Sequence, residues 1–263
     1  QETIEAGMFE TLLHAVMKNL YKPFEGKMVK KSDLEQLYSN NLTIDRAIRS
    51  AFSEKYFLKG KNSETELEGN YLLVARVIRK YVKKIIETDT ANTPFTYLQA
   101  EKQVKIQFSI YGGKQKVNLK GFIDRVDERE GLVRVLDYKT GNGSLDFKSQ
   151  DSVFDGNDEK CPKFVLQTFL YCLLLQQTNN YRDIVPEILY IRNLFKPDFT
   201  TRLIDKSMPK DPKNVDNFND YKEKFIENLT ACLEEIFNPE VPFSQCTNMK
   251  NCEYCPYKVI CRR

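Results

Sequence analysis

Residues 121–141 read GFIDRVDEREGLVRVLDYKTG, and this stretch decides the fold. Apolar and polar residues alternate with period two over 122–128 and again over 132–139, with Glu130-Gly131 between them where a tight turn belongs, so the stretch predicts a β-hairpin. A two- or four-residue loop about Glu130-Gly131 pairs Asp124 with Asp137, Arg125 with Leu136, Val126 with Val135 and Asp127 with Arg134. The last of these pairs joins opposite charges. The first sets two carboxylates against each other with Cβ atoms roughly 5 Å apart, which destabilises a hairpin unless a cation lies between them. Lys139, two residues beyond Asp137, returns by strand alternation to the same face as both carboxylates. Hard oxygen ligands of this kind suit magnesium or manganese, and a neighbouring lysine suits stabilisation of charge on a phosphate, so the pattern points to a divalent-metal phosphodiesterase site. The competing reading is a solvated hairpin edge, where acidic and basic residues are ordinary.

GFIDRVD followed by LDYKTG resembles the core of the PD-(D/E)xK nuclease superfamily, in the branch that contains the nuclease domains of RecB, AddA and AddB and the CRISPR adaptation nucleases. The resemblance implies that Asp124 is the first metal-binding aspartate. It implies further that Asp137 and Lys139 are the acid and the lysine of the second motif, that Thr140-Gly141 is its ending, and that the main-chain carbonyl of Tyr138 is a further metal ligand.

Two other segments bear on that resemblance. In KFVLQTFLYCLLL, Gln167 and Tyr171 stand four apart on a segment too uniformly apolar for a surface helix, so they share one face of a buried helix. Read alone, they are polar side chains that find hydrogen-bond partners in a core. In the family they form the QxxxY motif, directed toward the active centre and DNA. The sole histidine, His14, lies in GMFETLLHAVMKNLY, where Phe9, Leu13, Val16, Met17 and Leu20 repeat at helical spacing and place it at the flank of a buried stripe. By itself it reads as a packed histidine. The resemblance implies a metal-ligating histidine on a helix upstream of the hairpin, and His14 matches it, with Glu10 one turn earlier where the family often has a small residue. An imidazole beside two carboxylates tilts the preference from magnesium toward manganese.

The last eighteen residues hold Cys246, Cys252, Cys255 and Cys261, while Cys161, Cys172 and Cys232 are scattered through helical surroundings. Cys252-x2-Cys255 is a metal-binding bite, and with Cys261 it resembles the trio that AddB-type domains use for an iron–sulfur cluster. In those relatives the fourth cysteine lies upstream of the histidine helix. This chain begins at Gln1 without a start methionine, so the expectation is an excised domain that has lost that cysteine. Three readings stand: Cys246 as fourth ligand of a local zinc or 4Fe-4S site, a trio without its fourth ligand, or a disulfide between two of the four. A secreted disulfide framework does not fit seven cysteines in a chain of this size with no signal peptide.

The chain has 263 residues, 41% of them hydrophobic, enough for a sizeable core, and no apolar run approaches membrane-spanning length, so the expected setting is cytoplasmic. A net charge of +3 argues neither for nor against DNA, and the basic run 79–84, with Lys80, Lys83 and Lys84, reads as a solvated helix face. Helices are expected over 4–22, 31–57 and 68–88, with Ser32-Asp33 and Thr43 as N-cap signals. Strands are expected over 103–110 and 115–126 about Gly112-Gly113, then the hairpin, a loop over 141–160, a helix over 160–177, strands at 186–192 and 200–204, and a helix over 215–236.

The whole reads as one α/β nuclease domain over 1–263. A restriction-endonuclease-like core with a mixed central sheet flanked by helices covers 101–240, a helical N-terminal part covers 1–100, and a cysteine-rich tail covers 241–263. The resemblance implies a magnesium- or manganese-dependent DNA exonuclease in recombination or repair. It would act on DNA ends, single-stranded or unwound, attached to a helicase-like region. A catalytically silent DNA-binding or scaffold module and an endonuclease are the alternatives.

Overall fold

The computed structural model describes residues 4–59, 65–156, 161–253 and 255–263. Helices α1 (Ala6–Tyr21), α2 (Lys31–Ser39), α3 (Asn41–Ala51) and α4 (Gly69–Ala91) precede most of the sheet. A mixed central sheet flanked by helices follows. Its strands are β1 (Lys27–Val29), β2 (Phe95–Ile110), β3 (Gln115–Arg129), β4 (Leu132–Lys139) and β6 (Ile184–Tyr190), in the order β1-β2-β3-β4-β6. A three-stranded sheet of β5 (Asp146–Phe147), β7 (Ile204–Asp205) and β8 (Lys213–Asn214) lies elsewhere, with helices α5 (Lys163–Asn179) and α6 (Asn219–Phe237). Among the described residues no helix is long and apolar enough to cross a membrane.

Two compact units share the chain. The first comprises Gln1–Gln103, Phe122–Gly143 and Glu187–Thr201. Its core is built where the apolar stripe of α1, with Leu12, Leu13, Val16 and Leu20, meets Ile44 and Ile48 of α3 and Ile78, Val82 and Ile85 of α4, all buried. The expected helix over 31–57 is two helices and a π turn (Phe52–Tyr56). Asn40 leaves helical geometry, with φ −84° and ψ 78°, and its Oδ1 accepts the Thr43 N–H at 3.0 Å. An asparagine offers the backbone an alternative partner, and here it starts a new helix. At the start of α2, Asp33 accepts the Lys30 N–H at 2.8 Å, so this N-cap signal lies at N3.

The β3–β4 hairpin keeps the expected register: Arg125 faces Leu136, Val126 faces Val135 and Asp127 faces Arg134. Its turn residues Glu130 and Gly131 both have positive φ, 54° and 79°, the mark of a type I′ turn whose twist suits the strands. Two strand features within the expected helical part over 1–100 were not legible. Strand β1 has three residues and no period, and only its pairing with 95–97 defines it. Strand β2 begins at Phe95 and not at 103, because its alternation changes phase. Phe95, Tyr97 and Gln99 are buried at odd positions, then Val104, Ile106, Phe108 and Ile110 at even ones, and Glu101 at the slip has φ 47°. This is the behaviour of a bulge, which bends a strand and re-aims a side chain.

The second unit comprises Val104–Gly121, Ser144–Pro186 and Arg202–Arg263. Helix α5 is apolar nearly all round, and Phe169 centres an aromatic cluster, its ring 5.5 Å from Phe218, 5.6 Å from Tyr221, 5.7 Å from Phe225 and 5.8 Å from Phe147. Asn180 ends the helix in the left-handed region at φ 56°. Boundaries differ from expectation here. Helix α5 spans 163–179 and not 160–177, β6 ends at Tyr190, β7 holds only two residues, and α6 starts at Asn219 and not at 215. The expected loop over 141–160 contains β5 and a 3-10 turn, and its last four residues, with Asp158 and Lys160, lie outside the described residues.

Gly121 shows why the GFID motif needs its glycine. A Cβ there would stand 2.5 Å from Cε1 and 3.0 Å from Cδ1 of the Tyr171 ring. Gly121→Ala should therefore destabilise the protein by about 1–3 kcal/mol through overpacking, read as a lower urea midpoint at unchanged slope. An unchanged midpoint would mean that the ring moves aside freely.

Candidate active site

Helix α1 carries Glu10 and His14 one turn apart, the β2 bulge carries Glu101, and the hairpin carries Asp124, Asp137, Tyr138 and Lys139, all in the first unit. The imidazole is their meeting point. Its Nε2 lies 3.2 Å from the Tyr138 carbonyl, and its Nδ1 lies 3.4 Å from both Glu101 Oε1 and Asp124 Oδ1. Asp124 Oδ2 accepts the Tyr138 N–H at 2.7 Å across the hairpin. Lys139 Nζ stands 2.7 Å from Asp137 Oδ2 and 4.0 Å from Glu10 Oε1, and Thr140 donates to Glu10 at 3.1 Å. The solvated-edge reading fails on burial, since Asp124, Asp137 and Lys139 are 8%, 1% and 7% exposed.

Burial and like charge govern the electrostatics. Burial and then Asp137 push the Asp124 carboxyl up to about 7, against the pull of His14, the Tyr138 N–H and Lys139. Burial raises Asp137 also, opposed mainly by Lys139. For His14, burial acts to lower the pKa, but the hydrogen bond to Glu101 and the charges of Asp124, Glu101 and Glu10 outweigh it and carry the ring up to about 9. A protonated imidazole thus supplies positive charge among acids that repel one another. Donor atoms of His14, Glu101 and Asp124 all lie within 4.8 Å of one another, with the Tyr138 carbonyl adjoining, a nitrogen and oxygen set that fits a divalent cation. Asp137 is held in its ion pair with Lys139.

Metal and protons therefore compete. Between about pH 7 and pH 9 a bound cation displaces one proton, from His14, so the apparent metal association constant should rise about tenfold per pH unit, and more steeply below pH 7 where Asp124 gives up a second. The stability of the metal-free protein runs the other way. Both groups have folded pKa values above their ordinary ones, so the native state binds the extra protons, and stability falls as pH rises through about 7 and then about 9. The gain in melting temperature on adding manganese should grow between pH 6 and pH 9, and Asp124→Asn should shrink that gain at each pH. A gain that is flat with pH would contradict this site.

On the opposite sheet face from Asp124, Arg125 is fully buried among the rings of Tyr21, Phe95 and Tyr97, 5.3, 4.9 and 5.5 Å from its guanidinium carbon. It donates to Asp89 at 2.6 Å, Asp127 at 2.7 Å and the Tyr138 hydroxyl at 3.3 Å. Arg134 meets Asp127 at 2.6 Å, as the hairpin register requires. This network fixes the strand segment that presents Asp124 and Tyr138.

Gln167 and Tyr171 belong to the second unit, where the Gln167 amide donates to the Tyr171 hydroxyl at 2.7 Å. Cys246, Cys252, Cys255 and Cys261 are half-buried and lie in the same unit. Among the described residues no three cysteines bring their sulfurs together as a metal-ligand set. Glu101 is the site residue that motif reading misses, because it belongs to no pattern of spacing. Its signal in the sequence is the slip of β2 from odd to even buried positions.

No curated protein matches this sequence. The family model of the PD-(D/E)XK nuclease superfamily matches residues 2–262. Nearly the whole chain is thus accounted for by one family, a buried carboxylate pair and an adjacent lysine stand on its hairpin, and His14 and Glu101 complete a cation-ready donor set with Asp124: the chain belongs to the PD-(D/E)XK nuclease superfamily, the metal-dependent nucleases.

Proposed function

We propose that this domain is an exonuclease of the RecB and AddB type that hydrolyses phosphodiester bonds at DNA ends during recombination or repair, working with a helicase-like region or subunit that supplies unwound strands. The observation that carries the reading is the convergence of His14, Glu101, Asp124 and the Tyr138 carbonyl beside the Asp137–Lys139 pair. His14, Glu101, Asp124 and the Tyr138 carbonyl would hold the cation, with Asp137 beside them, and the imidazole favours manganese over magnesium. A divalent cation bound there lowers the pKa of a water and neutralises charge on the phosphate.

The chain's own residues do the rest. Lys139 orients the attacking water and stabilises the charge that develops on the phosphate oxygens as the new P–O bond forms and the bond to the leaving oxygen breaks. Asp137 holds the lysine in place, and Glu10 supports it from α1. Gln167 and Tyr171, joined by their hydrogen bond, serve as the family's DNA-facing pair. Cys252, Cys255 and Cys261, with Cys246 as fourth ligand, would hold an iron–sulfur cluster or zinc, and no step of the reaction runs through it.

The test is cleavage of end-labelled linear single- and double-stranded DNA beside a closed circle, with manganese, magnesium or chelator. Loss of linear substrates alone, dependent on metal, is the expected result. Cutting of the circle would make the protein an endonuclease, and no cleavage with either metal would leave a DNA-binding module.

A further inference from the structure

A groove of about 600 Å³ runs between α1 and α3, within the first unit, and ends on His14 and Glu101. Its walls are two helix stripes. On one side stand Thr11, His14, Lys18 and Lys22, spaced three, four and four apart. On the other stand Thr43, Arg46, Ser50 and Glu54, with the same spacing. Within α1 and α3 that spacing returns Thr11, His14 and Lys18, and likewise Thr43, Arg46 and Ser50, to one face of each helix, and Lys22 and Glu54 extend the rows just past the helix ends, so the two rows line the groove together. Ala15 and Ala47 floor it and keep its centre open.

The walls carry four cations, Lys18, Lys22, Arg46 and Lys55, against two acids. One acid is Glu101 at the metal end. The other, Glu54, lies 3.0 Å from Lys55, and Lys18, Lys22 and Arg46 are the remaining basic side chains of the walls. Between the cations stand hydroxyls and an amide, from Thr11, Thr43, Ser50 and Asn19. Among the described residues that line it the one ring is the His14 imidazole at its end, and none lies along the rows where successive bases could stack. Basic heads alternating with small hydroxyls suit successive phosphates and not base edges, and such contacts are independent of sequence. The volume is that of a small-molecule site, roughly 300–1,000 Å³, which admits a short run of one strand and not a duplex. A solvated basic helix face explains neither the opposed rows nor their ending on the cation donors.

We propose that this groove binds the sugar–phosphate backbone of a single polynucleotide strand and leads it to the site at His14. The proposal rests on the nuclease reading for what happens at that end, but strand binding can be measured without cleavage.

The experiment compares the protein with its Lys18→Gln/Lys22→Gln/Arg46→Gln variant by fluorescence anisotropy of a labelled oligothymidylate, in chelator, over a salt series. A second triple, Lys114→Gln/Lys210→Gln/Lys213→Gln, removes the same charge outside the groove. The groove variant should bind at least about tenfold more weakly, with the slope of log affinity against log salt smaller by about 2, at ~0.7 per lost phosphate contact on a single strand. The second triple should bind like the parent. Equal losses in both triples, or no loss in the groove variant, would overturn the proposal. Hydrolysis of thymidine 5′-(4-nitrophenyl phosphate) with manganese separates the two readings, since this ester is too short to reach along the groove. The groove variant should retain it in full. If the parent protein hydrolyses neither the ester nor DNA, the nuclease reading falls, while the anisotropy result still decides the groove.

Discussion

Lys139→Ala should lower the rate of DNA cleavage by about 10²–10⁴, the range for loss of a group that moves a proton or stabilises transition-state charge. The size follows from where the ammonium sits. It is 7% exposed, at the end of a strand in which alternation sets it on the face of Asp137, and it stands 2.7 Å from that carboxylate. No water can replace a buried charge of fixed position at low energy. The same variant should still bind manganese, because the donors His14, Glu101, Asp124 and the Tyr138 carbonyl are untouched.

It should also change stability in a way that reports on the pair. Burial already raises the Asp137 pKa, and Lys139 is the largest influence holding it down. Without the lysine the folded pKa rises further above its ordinary value. The metal-free variant is then closest to the parent at low pH and loses stability as pH rises, with manganese restoring more of it than in the parent. Single-turnover cleavage and melting curves at pH 6 and pH 8 check both halves. Undiminished cleavage would remove the assigned role, and a stability loss independent of pH would mean that Asp137 does not depend on Lys139.

Arg125→Met should destabilise the protein by about 3–5 kcal/mol, the cost of leaving buried carboxylates without their cation. Arg125 holds two of them, Asp89 and Asp127. They are not equally exposed to the loss. Asp127 keeps Arg134 at 2.6 Å, whereas Asp89 keeps the neutral Tyr21 hydroxyl, at 2.5 Å. A second change, Asp89→Asn, should therefore recover a large part of the loss, and a double-mutant cycle in urea measures the coupling directly. A loss below about 1 kcal/mol for Arg125→Met would mean that the methionine packs among Tyr21, Phe95 and Tyr97 as well as the ion network does. Cleavage should fall along with stability, because Arg125 also steadies the ring of Tyr138, the residue whose carbonyl faces His14.

The hairpin was legible because its determinants are local. Alternation from 122 to 139 and a Glu-Gly pair define strands, turn and register together, and a slip of one residue would turn Asp124, Asp137 and Lys139 to the face that holds Arg125. The helix of His14 was legible for the same reason, through a stripe of apolar residues at helical spacing. Helix boundaries were less so. Asn40 breaks the helix expected over 31–57 by a side-chain hydrogen bond that competes on nearly equal terms with helix continuation.

By itself, then, the sequence determined the local pattern of the candidate site. It placed two opposed carboxylates and a lysine on one strand face and a histidine on an amphipathic helix, in the order the nuclease superfamily uses, because periods of 2 and 3.6 are properties of the backbone and need no partner. Only the tertiary structure decided what completes the site. Glu101 reaches His14 because β2 bulges there, and the bulge exists because both halves of that strand must bury apolar faces of opposite phase. Only packing, likewise, sets the polar row of α1 against that of α3 and brings Asp89 of α4 to Arg125 on the hairpin. These contacts join residues distant in sequence, and their free energy comes from burial and charge pairing that no local pattern encodes.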